Sequence, residues 1–453
     1  AVFSGVLSAM VLALAFPLQS LWPLIFVGMV PFLWCLFEAQ SYTEVFWLGF
    51  SQMVAYSICG FHWISFVATN FGGLPWVVGK LVLIAFSLFG QLHFLLFALL
   101  GFGILRWKRR GQRRVHELER VGIIFFLFPL VYVGIDFAYP KIFPDTFGHS
   151  LYGWFSLAQI AEYTGVYGLT FLAVSANIVL ASLAAPWLAR VQLFRRHGNA
   201  VAGPLPSTVS SVIFLIAILG VLAVGHRFGA RRIAELKAAE ETYSRSFRFA
   251  AIQGNIGDLD KLASEKGFEP AVQKVLDVHR TMSLQALEKQ KLDLLIWPET
   301  SYPFLYTHYQ DQKANRNGSA RDVWIEDLMR ELKTPLLFGA YSSVGRRDFN
   351  TAFLVSNDFK LLGQYQKSIL LAFGEYVPLG PLAGVVQNLV PTIADFGRGQ
   401  GPMLFELPTP SGEVRLAPQI CYEGIFPEHS RRGVQLGADV LLNITNDSWF
   451  GLN

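Results

Sequence analysis

No charged side chain occurs from Ala1 to Phe37, from Val45 to Gly79, or from Leu81 to Leu105. A helix needs about 20 predominantly apolar residues to cross the hydrocarbon core of a bilayer. Runs of that size predict membrane spans near Val2–Phe16, Leu21–Phe37, Val45–Val67, Leu81–Leu105, Val121–Ala138, Gly165–Leu188 and Val209–Gly225. A soluble bundle of buried helices is the competing reading. Seven such runs joined by short polar loops argue against it. The composition changes sharply at Phe247, after which charged and polar residues return to globular proportions. Charged residues over the whole chain, 15%, therefore average two unlike halves.

The boundaries expected from this pattern are a transmembrane domain over 1–228, a helical connector over 229–246 and a soluble domain over 247–453. The chain begins without Met, and we expect it to continue at both ends; no cleaved signal peptide is required, because the first apolar run reads as a retained helix. The net charge of +4 leaves no nucleic-acid footprint. Three cysteines, with Cys421 alone in the soluble half, offer no disulfide framework.

Basic residues in short loops orient the spans. The stretch Arg106–Arg120 holds seven of them, and the loop after the sixth span has Arg190, Arg195 and Arg196, whereas the loop between has only Lys141. Both basic loops should face the cytoplasm, which puts the soluble domain outside. Arg227, Arg231 and Arg232 oppose this mildly, but long domains cross largely regardless of charge. Inside the spans, His62, His93 and Asp136 could mark an ion path. Without paired carboxylates or broken-helix repeats, hydrogen bonding between helices is the better account of them. Trp63, Trp76 and Trp154 fit interface belts.

In the soluble half, strands and helices alternate. Strands are expected at Phe247–Gln253, Asp293–Trp297, Pro335–Tyr341, Thr351–Val355, Leu361–Gln366, Met403–Glu406, Val414–Cys421 and Asp439–Ile444. Helices are expected at Pro270–Gln290, Asp322–Leu332 and Pro427–Leu436. That order predicts an α/β layered domain. Polar residues of catalytic type close three strands: Trp297-Pro298-Glu299, Gln364-Tyr365-Gln366-Lys367 and Gln419-Ile420-Cys421-Tyr422-Glu423. Reaction sites of layered α/β domains lie where strand ends meet loops. A Cys on a strand-to-helix turn, a Glu to take its proton and a Lys to steady an oxyanion make a coherent acyl-transfer set. Taken singly, Cys421 reads as a small buried hydrophobe and Glu299 as a surface cap. Cys421, Glu423 and His429 share one loop but lack a usual metal-ligand spacing.

In combination these residues resemble the nitrilase superfamily, an α-β-β-α sandwich with a Glu-Lys-Cys triad. Ala372-Phe373-Gly374-Glu375-Tyr376-Val377-Pro378 and Asn446-Asp447-Ser448-Trp449-Phe450-Gly451 are similar to the apolipoprotein N-acyltransferase family in particular. Pro75 after Phe71-Gly72-Gly73, and Gly165-Val166-Tyr167-Gly168-Leu169-Thr170-Phe171, resemble that family's membrane half. The fold implied is a multi-pass α-helical membrane bundle joined to a nitrilase-type sandwich.

The resemblance implies Glu299 as general base, Cys421 as nucleophile and Lys367 as stabiliser of the tetrahedral intermediate, with Glu375, Tyr422 and Glu423 in support. It implies no cofactor and no metal. Its partners are a phospholipid acyl donor, phosphatidylethanolamine by resemblance, a diacylglyceryl apolipoprotein acceptor and the lipid bilayer. The site implied is the extracytoplasmic side of the bacterial inner membrane, with a further transmembrane helix after the soluble domain. Three features depart from the family: Leu262 stands where it usually has Trp, its Glu and Arg pairing is missing around Gly134-Ile-Asp136-Phe-Ala-Tyr, and Leu370-Leu371-Ala372 precedes Phe373 where Val-Pro is commoner. Two other readings remain chemically open, a tethered amidase using water as acceptor and a transporter carrying an inactive nitrilase-like module.

Overall fold

A computed structural model of the protein describes residues 1–16, 19–70, 72–110, 116–188, 205–242, 246–256, 263–264, 267–307, 322–384 and 394–446. Phe71, Arg113 and Arg114, Arg190, Arg195 and Arg196, Leu262 and the stretch Asp447–Gly451 lie outside them. The chain divides into two compact units, Ala1–Ser65 with Trp76–Thr242, and Phe66–Pro75 with Tyr243–Asn453.

The first unit is helical. Among the described residues, Leu21–Glu38, Glu117–Ala138, Ala161–Trp187 and Thr208–Thr242 are long and apolar enough to cross a membrane, while Val2–Leu14 and Trp76–Ser87 are apolar but shorter. The run Leu81–Leu105, read from sequence as one span, is two helices, Trp76–Ser87 and His93–Arg110, separated by turns. Hydropathy cannot see that break, because the turn residues Leu88-Phe89-Gly90-Gln91-Leu92 carry no charge. The last span does not stop at a separate connector either. Thr208–Thr242 is one helix of 35 residues, about 52 Å long at 1.5 Å per residue. Two irregularities have local causes. Pro129 lacks an N–H, and the turns before it widen so that the N–H of Phe128 reaches back to the carbonyl of Ile123. Gly165 has φ +62°, which breaks Ala161–Leu188 near its start.

The polar residues of this unit are gathered rather than strung along a path. Asp136 accepts from Lys141 and from the Thr146 hydroxyl at 2.6 Å, and His93 lies 3.5 Å away. Thr146 also meets Thr170 at 2.7 Å, and Asp145 accepts from Gln91 at 2.9 Å. Asp136 thus has its basic partner five residues on, in place of the Glu and Arg pairing absent from the sequence. His62 is exposed, with its ring near the carbonyl of Cys59.

The second unit is layered. Its first sheet runs in the order β1 (Phe249–Ala251), β2 (Leu294–Ile296), β3 (Leu336–Val344), β4 (Arg347–Val355), β5 (Leu361–Gln366). The second runs β6 (Phe405–Thr409), β7 (Gly412–Ile420), β8 (Val440–Ile444). Alternation along the strands assigns the two faces of the first sheet. Leu295, Trp297, Leu336, Phe338 and Phe353 pack with Val272 and Leu276 of helix Glu269–Lys289 and with Ile325, Leu328 and Met329 of helix Asp322–Leu332. Leu294, Ile296, Leu337, Ala352 and Leu354 point the other way, onto Phe405, Leu407, Leu416, Ile420 and Leu442 of the second sheet. Helix Pro427–Gln435 covers the outer face of that sheet, where a Cβ on Gly433 would lie 3.0 Å from that of Ala417. The layers are therefore α-β-β-α, as expected.

Candidate functional site

The strand ends named from sequence converge. Glu299 follows β2, Lys367 follows β5 and Cys421 follows β7. β2 pairs parallel with β3, Leu295 opposite Leu336, and two antiparallel pairings, β3–β4 and β4–β5, make β5 run the same way as β2, while β7 lies in the second sheet. Lys367 is buried. Its Nζ donates to Glu375 Oε1 at 2.9 Å and lies 3.4 Å from Glu299 Oε1. Burial pulls the ammonium pKa down, but Glu299 and Glu375 more than offset this and raise it, so Lys367 is a fixed cation. Burial pushes the Glu375 carboxyl above the usual range, Lys367 counters, and Glu299 adds repulsion.

Cys421 is half-buried at the turn from β7 into a short 3-10 segment, Cys421–Ile425, with φ +51°. A non-glycine residue in that region carries strain of order 1–2 kcal/mol. The turn is held by Glu423, which accepts the N–H of Ile420 at 2.9 Å, and by Asn443, which donates to the Cys421 carbonyl at 3.2 Å. Burial pushes the Cys421 thiol up to about 12, and the Glu299 charge adds to this against Lys367 and a hydrogen bond from Thr445. At neutral pH the Cys421 side chain is therefore a thiol, set beside Glu299.

Glu375 and Glu423 make different contacts. Glu375 touches Lys367 itself, and its other oxygen accepts from the N–H of Leu371 at 2.8 Å. Among the described residues, Glu423 makes no hydrogen bond to the side chains of Glu299, Lys367 or Cys421. Its Oε1 accepts the N–H groups of Ser368 (2.7 Å) and Ile369 (3.0 Å) and the hydroxyls of Ser368 and Tyr365 (2.7 Å). It therefore ties the backbone just after Lys367 to the backbone just before Cys421. His429 lies 3.9 Å from Glu423 and 3.2 Å from the Tyr365 hydroxyl. Burial and the nearby Tyr376 push the Tyr422 hydroxyl up to about 12.

Two further residues were not singled out from sequence. Asn350 on β4 is buried, and its Nδ2 donates to Glu299 at 2.7 Å and to Glu375 at 3.2 Å. Its Oδ1 is a buried acceptor with no hydrogen-bond partner among the described residues, an arrangement costing about 1–3 kcal/mol. Gly339 on β3 lies under the Glu299 turn, where an added Cβ would fall 2.5 Å from the N of Thr300 and 2.7 Å from the Cα of Glu299. Neither residue type signals chemistry in a linear sequence. Their roles follow from pairing, since Gly339 lies opposite Ala352 and Asn350 lies opposite Tyr341.

Glu299, Lys367 and the strained Cys421 turn share this site. The profile of the apolipoprotein N-acyltransferase N-terminal domain matches residues 8–179, and that of carbon-nitrogen hydrolases matches residues 248–453. An apolipoprotein N-acyltransferase of Geobacter metallireducens is 34% identical over 99% of this chain and 77% of its own length. One of Bdellovibrio bacteriovorus is 32% identical over 95% of this chain and 74% of its own length. The chain belongs to the apolipoprotein N-acyltransferase family. Like other members, it joins a membrane half to a nitrilase-type domain, and it is an acyltransferase. An amidase from Nesterenkonia sp. has a solved structure 22% identical to this chain, covering 44% of it and 64% of the amidase, with a TM-score of 0.30.

Proposed function

We propose that this membrane acyltransferase moves a fatty acyl group from a phospholipid, phosphatidylethanolamine in particular, to the α-amino group of a diacylglyceryl-cysteine at the N-terminus of an apolipoprotein. The observation that carries the chemistry is the arrangement of Glu299, Lys367 and Cys421 at three strand ends, with a thiol pushed up to about 12 beside a carboxylate.

In the first half-reaction Glu299 takes the Cys421 proton as the sulfur attacks the ester carbonyl. Lys367 stabilises the oxyanion of the tetrahedral intermediate. Collapse breaks the ester C–O bond, the leaving lysophospholipid oxygen recovers the proton from Glu299, and a thioester remains on Cys421. In the second half, Glu299 takes a proton from the acceptor amine, the nitrogen attacks the thioester, and the thiolate leaves and is reprotonated. The balance needs no redox step.

The membrane half suits such a donor. A diacyl lipid has about 30 chain methylenes, each costing about 0.8 kcal/mol to bring into water, or about 24 kcal/mol in all. An enzyme working on that lipid must work at its surface, and a multi-pass half in the same chain keeps it there. The basic loops support an extracytoplasmic catalytic domain, and the family resemblance supports the bacterial inner membrane as its place. The domain limits 1–228, 229–246 and 247–453 remain our division of the chain by role.

The deciding experiment gives the purified protein phospholipid without acceptor. The peptide containing Cys421 should gain the mass of one fatty acyl group, and diacylated lipopeptide should then remove it and appear N-acylated. Continuous release of lysophospholipid and free fatty acid without acceptor would make water the second substrate and overturn the transferase reading.

A further inference from the structure

The segment Ala394–Gly399 is stitched to the catalytic loops by backbone hydrogen bonds. The N–H of Ala394 donates to Gly374 (3.3 Å), Phe396 to Glu375 (3.1 Å), Gly397 to Asp348 (2.8 Å) and Gly399 to Lys367 (2.9 Å). Arg398 is therefore held on both sides, one residue from the contact with the Lys367 carbonyl. Its side chain is exposed, with the guanidinium 4.5 Å from the ring centre of Tyr376. Tyr376 follows Glu375 in a turn closed by the Phe373 N–H on the Tyr376 carbonyl at 2.7 Å. Arg398 makes no ion pair with a carboxylate among the described residues.

That unpaired cation contrasts with its surroundings. Among the described residues, three glutamates, Glu299, Glu375 and Glu423, stand around Lys367 and Cys421, and Lys367 is committed to two of them. An ester whose leaving group bears a phosphodiester would meet net repulsion there. Guanidinium is suited to phosphate, which it meets through paired N–H donors, and stacking on an aromatic ring pre-orients it. We propose that Arg398, oriented by Tyr376, binds the phosphodiester of the acyl donor and so sets the donor class. This rests on the phospholipid-donor reading and adds a residue that discriminates by headgroup charge.

The test uses the full chain in neutral-detergent mixed micelles. The acyl-enzyme formed on Cys421 is followed by mass, with phosphatidylethanolamine as one donor and the p-nitrophenyl ester of a fatty acid, which lacks phosphate, as the other. Losing an Arg–phosphate contact should raise the half-saturating phospholipid fraction about tenfold to a hundredfold. Arg398→Gln and Arg398→Glu should both do so, Arg398→Lys less, and the loss should be at least about tenfold greater with phospholipid than with the neutral ester. Equal loss with both donors would mean a structural role, and no loss with phospholipid would mean no role. Either result overturns the proposal. If wild type is loaded by the neutral ester but never by phospholipid, the donor reading itself falls and takes this inference with it. Millimolar inorganic phosphate should leave wild-type half-saturation unchanged; competition that Arg398→Gln abolishes would mark a free-phosphate site and overturn the lipid assignment.

Discussion

Lys367 lies closer to Glu375 than to Glu299, with its Nζ 2.9 Å from one carboxylate and 3.4 Å from the other. The shorter contact gives the ammonium a permanent counter-ion outside the triad. The other oxygen of Glu299 accepts the Asn446 N–H at 3.2 Å.

Glu375→Gln should therefore lower acyl-enzyme formation by about 10- to 100-fold by pulling Lys367 onto Glu299, because a buried cation seeks its remaining anion. Single-turnover release of lysophospholipid measures this. A variant within about threefold of wild type would show that Glu299 needs no such relief.

The thiol titration should move in opposite directions in two variants. Burial raises the Cys421 thiol most, and it persists in both. An anion beside a thiol disfavours the thiolate, so Glu299→Gln should bring its pKa down from about 12. Lys367→Met removes the favourable cation and should move it further up. Ultraviolet thiolate absorbance against a Cys421→Ala blank reads both. Glu299→Gln should then react faster with small alkylating reagents at alkaline pH while losing acyl transfer by at least about 100-fold. A thiol pKa that rises in Glu299→Gln would break the assignment.

Removing Asn350 should shift the pH profile. Its N–H donor to Glu375 favours the ionised form of that carboxyl, so Asn350→Ala raises the Glu375 carboxyl and moves the acid limb of the acylation rate to higher pH. Glu375 already sits above the usual carboxylate range, so the limb should start high in wild type and rise further in the variant. A uniform loss at every pH, with no movement of the limb, would reduce Asn350 to packing.

Glu423→Ala should destabilise two loops together. Three backbone N–H groups, those of Ser368, Ile369 and Ile420, lose their acceptor, at about 1–3 kcal/mol for each that stays buried and unpaired. Hydrogen exchange should quicken at both Ser368–Ile369 and Ile420–Cys421. Faster exchange at one of these stretches alone would mean that Glu423 does not couple the Lys367 loop to the nucleophile turn.

The sequence by itself determined the spans' chemistry, the alternation of strands and helices, and which residues could perform acyl transfer. Those properties are written in hydrophobicity and side-chain type: β2 is an unbroken apolar run, and Glu299, Lys367 and Cys421 announce themselves by their functional groups at predicted strand ends. Only the tertiary structure decided what depends on pairing across the chain. An uncharged turn splits Leu81–Leu105, and hydropathy has no signal for such a break. Asp136 finds Lys141 because a loop folds back upon its own helix. Gly339 and Asn350 matter because strand register brings them to Glu299, 40 and 51 residues away in the sequence. Glu375 and Glu423 look equivalent as letters. They diverge because one carboxylate is aimed at an ammonium and the other at backbone N–H groups, and that aim is a property of the folded loops alone.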